Sequence, residues 1–390
     1  MRRSLVILSV SFVALLLVGP LSAAETTRTV RAELPESASE RFGIENLAGS
    51  IIVRPGSGSR VVAVATVHAE SAELAETIRI EQVDGEHGRP VLRVIYPLDE
   101  HRTIRYPGGS ASIGHRGGFL ARLFGGYDQT RTRYDGRKVT VSNSGGVLLY
   151  ADVVVEIPAR SVDAYFSNVA GPLRASEVEG KLDFSTGAGD VRLESVHGEI
   201  AINTGSGDVK VEEGNGRISV DTGSGDVTIS RSEGRISCDT GSGNCTVREF
   251  RGEAISADTG SGDITIRSAE VDRISVDTGS GDINLVDCDI EQLDADTGSG
   301  DINLAARGDR LSRIIADTGS GDVSLRLGPH ASFEVRASQG SGDLVTRYRD
   351  ARPIIEDREV IGYIRGDARI RITVDTGSGD VLIEPGPAAA

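Results

Sequence analysis

The motif Asp-Thr-Gly-Ser-Gly-Asp recurs along this chain and constrains its fold more than any other feature. Counting near copies, it begins at Ser185, Asn203, Asp221, Asp239, Asp258, Asp277, Asp296, Asp317, Ser338 and Asp375. Successive copies are 18 to 21 residues apart, except for a last gap of 37. A fixed period of this size is typical of stacked repeat proteins. The last gap is about two repeats long and predicts a further coil, without the motif, within residues 345–370.

Residues 217–234 show what one repeat predicts. Ile218 and Val220 alternate with polar residues before the motif, and Val227 and Ile229 do so after it. Alternation with period two predicts short strands with one buried face. Two such strands would meet at the Gly-Ser-Gly corner, and a second, looser corner would close the repeat.

One repeat cannot bury its apolar residues alone, whereas stacked repeats share a continuous core. We therefore predict an all-β fold, a single-stranded parallel β-solenoid. It would have roughly a dozen coils of 18–21 residues, preceded by a strand-rich segment.

The motif itself is interpreted as a structural corner. A sharp corner predicts glycines with positive φ, which glycine adopts without a Cβ clash. Asp and Asn flank the glycines because their short side chains bond nearby backbone N–H groups.

The N-terminus predicts export. Arg2 and Arg3 precede an apolar stretch at residues 5–18, and small residues at 22–24 suit a cleavage site. An uncleaved membrane anchor is the alternative. The predicted location is the bacterial envelope: periplasmic, cell-surface or secreted. The predicted divisions are a signal peptide (1–24), a strand-rich segment with a first coil (25–100), a basic Gly/Arg-rich insertion (101–138), the solenoid (139–385) and a tail (386–390).

The insertion breaks the repeat pattern. It carries eight Arg and Lys residues against two Asp residues. Basic residues beside apolar ones suit contact with anionic lipid or an acidic partner, so a membrane-surface contact is one hypothesis. The alternative is a flexible insertion or a cap over the solenoid end. The candidate contact residues are Arg116, Phe119, Leu120, Arg122, Leu123 and Phe124.

Two rows of aspartates, one at each end of the motif, are the candidate cation site. Stacked coils would bring equivalent carboxylates to about 4.8 Å, where they repel one another. Ca²⁺ binds carboxylate and carbonyl oxygens and would relieve that repulsion. The candidate ligands are Asp221, Asp226, Asp258, Asp263, Asp277, Asp282, Asp296 and Asp301. The alternative assigns them only to corner structure.

Three cysteines occur, and two of them replace inward-facing residues of one coil. Cys238 and Cys245 should therefore face one another across a corner. A disulfide suits an exported protein, and two buried thiols fit equally well. Cys288 lies near the second corner, with no evident partner. Three cysteines without Cys-x-x-Cys spacing do not predict a zinc site.

Composition argues against several functions. The net charge of −16 disfavours nucleic-acid binding. The six histidines are scattered, without metal-ligand spacing. The repeats are nearly alike, so no coil is marked as catalytic. We expect a non-enzymatic protein without a cofactor, whose partner and oligomeric state are not readable from the sequence.

The predicted export signal, the strand at residues 153–158 (VVVEIP), residues 166–173 (FSNVAGPL) and the DTGSGD repeats occur in this order. This combination resembles the bacterial putative-adhesin domain family of unknown function, a group of envelope β-solenoids. The resemblance covers about residues 40–385, apart from the insertion. It implies a solenoid fold, export and surface attachment, and it brings no catalytic or ligand residues. The expected function is an adhesin or envelope scaffold. The alternatives are a Ca²⁺-dependent binding module and a polysaccharide-acting β-helix enzyme.

Overall fold

The computed structural model describes residues 25–85, 88–108, 129–307 and 309–386. The predicted signal peptide and the six contact-loop candidates lie outside these ranges. The chain forms two compact units, Met1–Gly207 and Asp208–Ala390, called here unit 1 and unit 2. Within the described residues, no helix has the length and apolarity to cross a membrane.

The described residues of unit 1 lie mostly in strands. One α-helix, α1, spans Ala72–Thr77, and Ser71 caps it by accepting a hydrogen bond from the backbone N–H of Leu74. The strands are β1 (Thr26–Glu33), β2 (Arg41–Ala48), β3 (Ile51–Pro55), β4 (Val62–Ala69), β5 (Arg79–Asp84), β6 (Pro90–Ile95), β7 (Thr103–Arg105), β8 (Gln129–Tyr134), β9 (Arg137–Ser142), β10 (Val147–Ile157), β11 (Val162–Ala170), β12 (Leu173–Ala188) and β13 (Val191–Thr204), with a 3₁₀ turn at Glu36–Ala38.

The coils of unit 1 begin earlier than the marked repeats. Strand β2 pairs in parallel with β11, β11 with β12, and β12 with β13. Glu45 lies opposite Ser167, and Ser167 lies opposite Ser185, the first residue of the first motif copy. The strands at residues 41–48 and 162–170 therefore stack in register with the marked repeats as earlier coils.

The rest of unit 1 departs from a purely parallel solenoid. Strand β4 pairs antiparallel with β1 and β10, and β5 pairs antiparallel with β6. Strands β8 and β9 form an antiparallel hairpin, and β7 pairs in parallel with β9 and β10. The described parts of the basic insertion are thus paired strands.

Unit 2 contains the remaining strands. They are β14 (Val209–Glu212), β15 (Asn215–Thr222), β16 (Val227–Thr240), β17 (Cys245–Thr259), β18 (Ile264–Thr278), β19 (Ile283–Thr297), β20 (Ile302–Ala306), β21 (Arg313–Thr318), β22 (Val323–Leu327), β23 (Phe333–Gln339), β24 (Leu344–Thr346), β25 (Arg352–Glu356), β26 (Glu359–Arg365), β27 (Ile370–Thr376) and β28 (Val381–Pro385).

Consecutive coils of unit 2 pair in parallel and in register. Ile236 lies opposite Ile255, which lies opposite Ile274, and the same holds along the apolar positions of each coil. These side chains are buried: Ile255 is 1% exposed and Ile274 is fully buried. The predicted parallel β-solenoid is therefore confirmed, with a continuous core of stacked apolar residues.

The last gap between motifs does not hold the predicted coil. Strands β25 and β26 form an antiparallel hairpin instead. Asp357 and Arg358 close it with φ of 51° and 76°, as a tight hairpin turn requires. Ile355 and Val360 are 61% and 39% exposed, so they contribute little to the core. The prediction of an unmarked repeat there was wrong, because apolar residues at period two also suit a hairpin.

The final coil does not lie at the end of the stack in unit 2. Strand β27 pairs with β21 on one side and β23 on the other, and β28 pairs with β22 and β24. The last motif copy is thus inserted between the copies that begin at Asp317 and Ser338. Chain order and stacking order differ here, which repeat spacing alone does not reveal.

Candidate functional site

The Gly corner is the Thr-Gly-Ser-Gly-Asp segment of each motif, for example Thr278–Asp282. Its threonine is buried, with Thr278 1% exposed. The Thr278 hydroxyl donates to the carbonyl of Gly262 in the preceding coil at 2.9 Å and accepts from the N–H of Gly281 at 3.1 Å. The same pair of bonds recurs at Thr240, Thr259, Thr297, Thr318 and Thr376. The threonine therefore ties each corner to its neighbour.

The glycines of the Gly corner are needed for a reason that differs from the prediction. In the later copies, such as Gly262 and Gly281, their φ angles lie outside the left-handed region. A Cβ built on Gly262 would instead overlap the carbonyl oxygen of Gly243 in the preceding coil. The expectation of positive φ was wrong here, because close approach of neighbouring backbones excludes a side chain.

Positive φ occurs at the second corner, and mostly in residues other than glycine. Arg231, Glu249, Ser268 and Asp287 have φ of 50°, 52°, 54° and 59°. This conformation interrupts the strand alternation and turns the following residue inward. Phe250, which follows Glu249, is fully buried. The exposed residue at this corner is consequently free to vary between coils.

The aspartate that ends each motif has a structural partner. The carboxylate of Asp263 accepts the backbone N–H of Asp282 at 2.9 Å, and Asp282 accepts that of Asp301 at 2.9 Å. Asn244 occupies one position of this row and accepts the N–H of Asp263 through its side-chain oxygen at 2.8 Å. An acceptor oxygen is thus what the position requires, which explains why Asn replaces Asp. This row serves backbone hydrogen bonding between coils.

The aspartate that begins each motif lies on an exposed surface. In register, the row runs through Asp221, Asp239, Asp258, Asp277, Asp296, Asp317 and Asp375. Partial burial and then the charges of Asp258 and Asp221 raise the pKa of Asp239 above its usual value. The pKa of Asp296 is raised in the same way, by burial first and then by Asp277 and Asp317. The neighbouring carboxylates thus disfavour ionisation of Asp239 and Asp296, in the direction that the sequence predicts.

Among the described residues, no three His, Cys, Asp or Glu side chains are grouped closely enough to hold a metal ion. The candidate Ca²⁺ ligands thus divide into a row that accepts backbone N–H groups and an exposed row. Ca²⁺ binding by these residues stays a prediction.

Two further rows of side chains lie beside the exposed aspartates on the same strands. The first of these rows lies two residues before each aspartate, and most of its members are small and polar: Ser219, Ser237, Ser256, Ser275, Asp294, Ile315 and Thr373. Four residues before it stand Arg217, Arg235, Ala254, Arg273, Gln292, Arg313 and Arg371. We call these three rows the ladder face. It repeats cations, hydroxyls and carboxylates from coil to coil at about 4.8 Å.

Unit 1 contains a polar groove of about 740 Å³ at the corresponding coil positions. Glu45 accepts hydrogen bonds from Arg93 Nε at 2.5 Å and from the Tyr165 hydroxyl at 2.6 Å. Arg89 donates to Asp163 at 2.8 Å, and its guanidinium lies 5.5 Å from the centre of the Tyr165 ring. These contacts hold the side chains of Glu45, Arg89, Arg93 and Tyr165 in one arrangement.

Asp183 also lines the groove and has an unusual environment. Its side chain is exposed at the surface, and desolvation by its surroundings raises the pKa of its carboxyl although Asn203 hydrogen-bonds to it. A carboxyl with a raised pKa that lines a groove is a candidate functional group. The groove therefore holds a carboxyl that retains its proton more readily than usual, close to ion-paired carboxylates and arginines.

Sequence reasoning missed the polar groove, although it contained a signal. Tyr165 and Asp183 stand two residues before Ser167 and Ser185, at the coil position that holds serine in four of the eight copies of unit 2. Arg89 and Arg93 come from β6 and its approach, outside the repeats, and nothing in the repeat pattern places them there. The groove thus combines off-pattern coil residues with side chains from the strand-rich segment.

A second groove, of about 510 Å³, lies on the β8–β9 hairpin and β7. Four basic residues line it, Arg102, Arg131, Arg133 and Lys138, together with Thr103, Thr132, Val139 and Thr140. The sequence placed these cations in the basic insertion, and the structure brings them together. We call this site the basic groove.

The cysteines are free thiols in the structure, and all three are buried. Cys238 and Cys245 face one another as predicted, and a hydrogen bond with Cys245, together with burial, raises the pKa of the Cys238 thiol. A disulfide between them stays a prediction. Burial raises the pKa of Cys288 to about 11, so its thiolate is disfavoured at neutral pH.

Solved structures offer two remote likenesses. A putative cell adhesion protein from Clostridium sporogenes is 8% identical, with 93% of this chain and 100% of the other covered and a TM-score of 0.20. A putative lipid binding protein from Parabacteroides distasonis is 14% identical, with 92% and 96% covered and a TM-score of 0.35. Neither likeness is strong enough to support an argument. No curated protein matches the chain.

A family model, in contrast, matches most of the repeat region. The model of the Toastrack DUF4097 family matches residues 169–237 and 218–384, which together make up more than half of the chain. These ranges contain every marked coil of the solenoid. The chain belongs to the Toastrack DUF4097 family.

Proposed function

We propose that this chain is an exported, non-enzymatic β-solenoid that binds a partner at the bacterial cell envelope, as an adhesin or a scaffold. The observation that carries this proposal is the ladder face of unit 2. Its carboxylates repeat in register in every one of these consecutive coils, and arginines and hydroxyls repeat beside them in most coils. The arrangement needs no cofactor, and the partner is a surface or envelope component rather than a nucleic acid.

The ladder face suits a partner that itself carries repeated polar groups. Five of the seven coils offer a hydrogen-bond donor in an arginine, all seven offer an acceptor in an aspartate, and most carry a hydroxyl between them. A single coil would bind weakly, because an exposed charged pair contributes about 0.2–1 kcal/mol. Several coils that engage one polymer gain affinity through multivalency. A polysaccharide of the envelope is the partner class with this chemistry.

The test measures binding to isolated envelope fractions. Full-length protein would be mixed with peptidoglycan sacculi and with extracted surface polysaccharide, and the retained fraction measured after sedimentation. The variant Asp258→Asn, Asp277→Asn and Asp296→Asn neutralises three neighbouring carboxylates of the ladder face. We expect it to lose at least about fivefold in retention because several contacts are lost together.

A matched control removes three negative charges elsewhere in unit 2. Glu249→Gln, Glu270→Gln and Asp309→Asn leave the ladder face unchanged, and retention should stay within about twofold. Retention by neither fraction, or an equal loss in both variants, would count against the proposal. Fractionation of cells that express the tagged full-length chain tests export, and a cytoplasmic protein would overturn that part.

A second candidate function follows from the polar groove of unit 1. A polysaccharide-acting solenoid enzyme should have a groove with off-pattern acidic residues, and Glu45 and Asp183 meet that description. Asp183, with its raised pKa, would donate a proton to a leaving group, and a second carboxylate would act as base or nucleophile. The test measures the release of reducing ends from polysaccharides. Release that is lost in Asp183→Asn and kept in the control Glu179→Gln would favour this candidate over simple binding.

A further inference from the structure

The basic groove is a concentrated positive site on an acidic protein. The whole chain has a net charge of −16, yet four cations converge on one groove of unit 1. Its described lining includes no acidic residue. The site therefore has a charge opposite to that of the protein around it.

The hairpin places two of these cations directly opposite one another. Arg133 on β8 faces Lys138 on β9 in the antiparallel register, and Arg131 faces Thr140. Like charges at directly opposite positions destabilise a strand pair. An anion between them converts this repulsion into attraction, so the pairing points to a bound negative group.

Two acidic residues that contact the hairpin, Asp99 and Asp135, are engaged by other arginines. Arg137 holds Asp99 through two hydrogen bonds of 2.8 and 2.9 Å. Asp135 accepts from Arg93 at 2.8 Å and from Arg137 at 3.0 Å. Asp99 also attracts Arg102 electrostatically. Within the described residues, Arg133 and Lys138 form no ion pair, so their charge is left for a ligand.

The neutral lining adds suitable hydrogen-bond donors. Thr103, Thr132 and Thr140 line the groove, and Thr140 lies directly opposite Arg131 in the hairpin. Phosphate offers several strong acceptor oxygens, which arginine, lysine and threonine side chains together satisfy well. A volume of about 510 Å³ also has room for the group that carries the phosphate.

We infer that the basic groove binds a phosphate group, carried either by an anionic lipid headgroup or by a soluble phosphate ester. Arg133 and Lys138 hold the phosphate between the two strands of the hairpin. Arg102 and Arg131 supply the flanking charge. This inference concerns a site in unit 1 and does not depend on the proposed function of the ladder face.

The experiment compares two sources of the phosphate with one pair of variants. Full-length protein would be titrated calorimetrically with glycerol phosphate, and sedimented with vesicles of phosphatidylglycerol or of phosphatidylcholine alone. Arg133→Gln with Lys138→Gln removes two charges from exposed positions of the hairpin. Arg349→Gln with Arg352→Gln removes two exposed charges from unit 2 and serves as the matched control.

We expect the wild-type protein to bind glycerol phosphate, phosphatidylglycerol vesicles or both. The affinity should fall at least about tenfold in the groove variant, and in the control variant it should stay within about twofold of the wild-type affinity. Binding should also weaken as salt rises. Binding of vesicles alone identifies a lipid headgroup as the source, and binding of the soluble ester identifies a free phosphate site. Binding of neither, or equal weakening in both variants, overturns the inference. Circular dichroism confirms that each variant is folded.

Discussion

The two corners of each coil turn the chain by different means. At the Gly corner of unit 2, the backbone of one coil approaches the next so closely that a Cβ at Gly262 or Gly281 would overlap a carbonyl oxygen. At the second corner, residues such as Glu249 and Ser268 adopt positive φ while their side chains stay exposed. The Gly corner constrains side-chain size, whereas the second corner combines a position of constrained backbone angle with a close glycine contact in several coils, such as Gly234 against Gly216.

This difference explains why the Gly corner repeats several residue types, whereas the strained position of the second corner varies. The Gly corner needs threonine for its buried hydrogen bonds, glycine for close approach, and an acceptor side chain at its end. The second corner accepts Arg, Glu, Ser or Asp at the strained position, because only the backbone conformation is required. Residue type therefore repeats where neighbouring coils approach closely, and it varies where only the backbone conformation is required.

The largest effect should follow from a side chain in the Gly corner. Gly262→Ala places a methyl group against the carbonyl oxygen of Gly243, so neighbouring coils must separate. We expect unfolding free energy to fall by about 3 kcal/mol, measured by urea denaturation followed by circular dichroism. Gly328→Ala is the control, since a Cβ there meets nothing within 4 Å. Similar losses in both variants would refute the close-approach argument.

A smaller loss should follow from removing the threonine bonds while keeping the shape. Thr278→Val leaves the carbonyl of Gly262 and the N–H of Gly281 without their buried partner. We expect a loss of about 2 kcal/mol in the same assay, because buried polar groups are then unsatisfied. Thr265→Val makes the same change at a half-buried position of β18 and should cost less than about 0.5 kcal/mol. Equal costs would show that the corner bonds add little.

Much of the solenoid was predictable because its signals are local and repeated. Alternation at positions such as Ile218 and Val220 gives the strands, and the spacing of Ser167 and Ser185 gives the register. The geometry of the Gly corner was not predictable, since glycine suits both positive φ and close approach. The inserted last coil also escaped prediction, because stacking order depends on contacts between coils that are distant in sequence.

The candidate sites were predictable only in part. The ladder face follows from repeat register, and the cations of the basic groove were visible as a basic stretch. The polar groove was not predicted from the sequence. Arg89 and Arg93 line it because β6 pairs with β2, and the repeat pattern does not predict that pairing. Tyr165 and Asp183 are visible in the sequence as departures from the repeat, and in the structure both of them line the polar groove.

The second corner should respond to glycine in the opposite direction from the Gly corner. Glu249 has a φ of 52°, where a side chain strains the backbone and glycine does not. Glu249→Gly should therefore raise unfolding free energy by about 0.5 kcal/mol, after the entropy cost of glycine is subtracted. Ser256→Gly, in an extended part of the same strand, should lower it by about 0.5–1 kcal/mol. A loss in both variants would mean that positive φ costs nothing at this corner.

The smallest expected effect on stability concerns the carboxylate of Asp239, which lies directly before a Gly corner, and this effect depends on pH. The folded state raises the pKa of Asp239, so it binds the proton more tightly than the unfolded chain does. This contribution to stability is therefore present below the ordinary carboxyl pKa and is lost as pH rises through the raised value. Asp239→Asn has no such loss, and it should be more stable than wild type by about 0.3 kcal/mol at pH 7 and by almost nothing at pH 3. The gain should shrink in 1 M NaCl, where the Debye length is about 3 Å. An equal gain at both pH values would place its cause in packing rather than in repulsion along the ladder face.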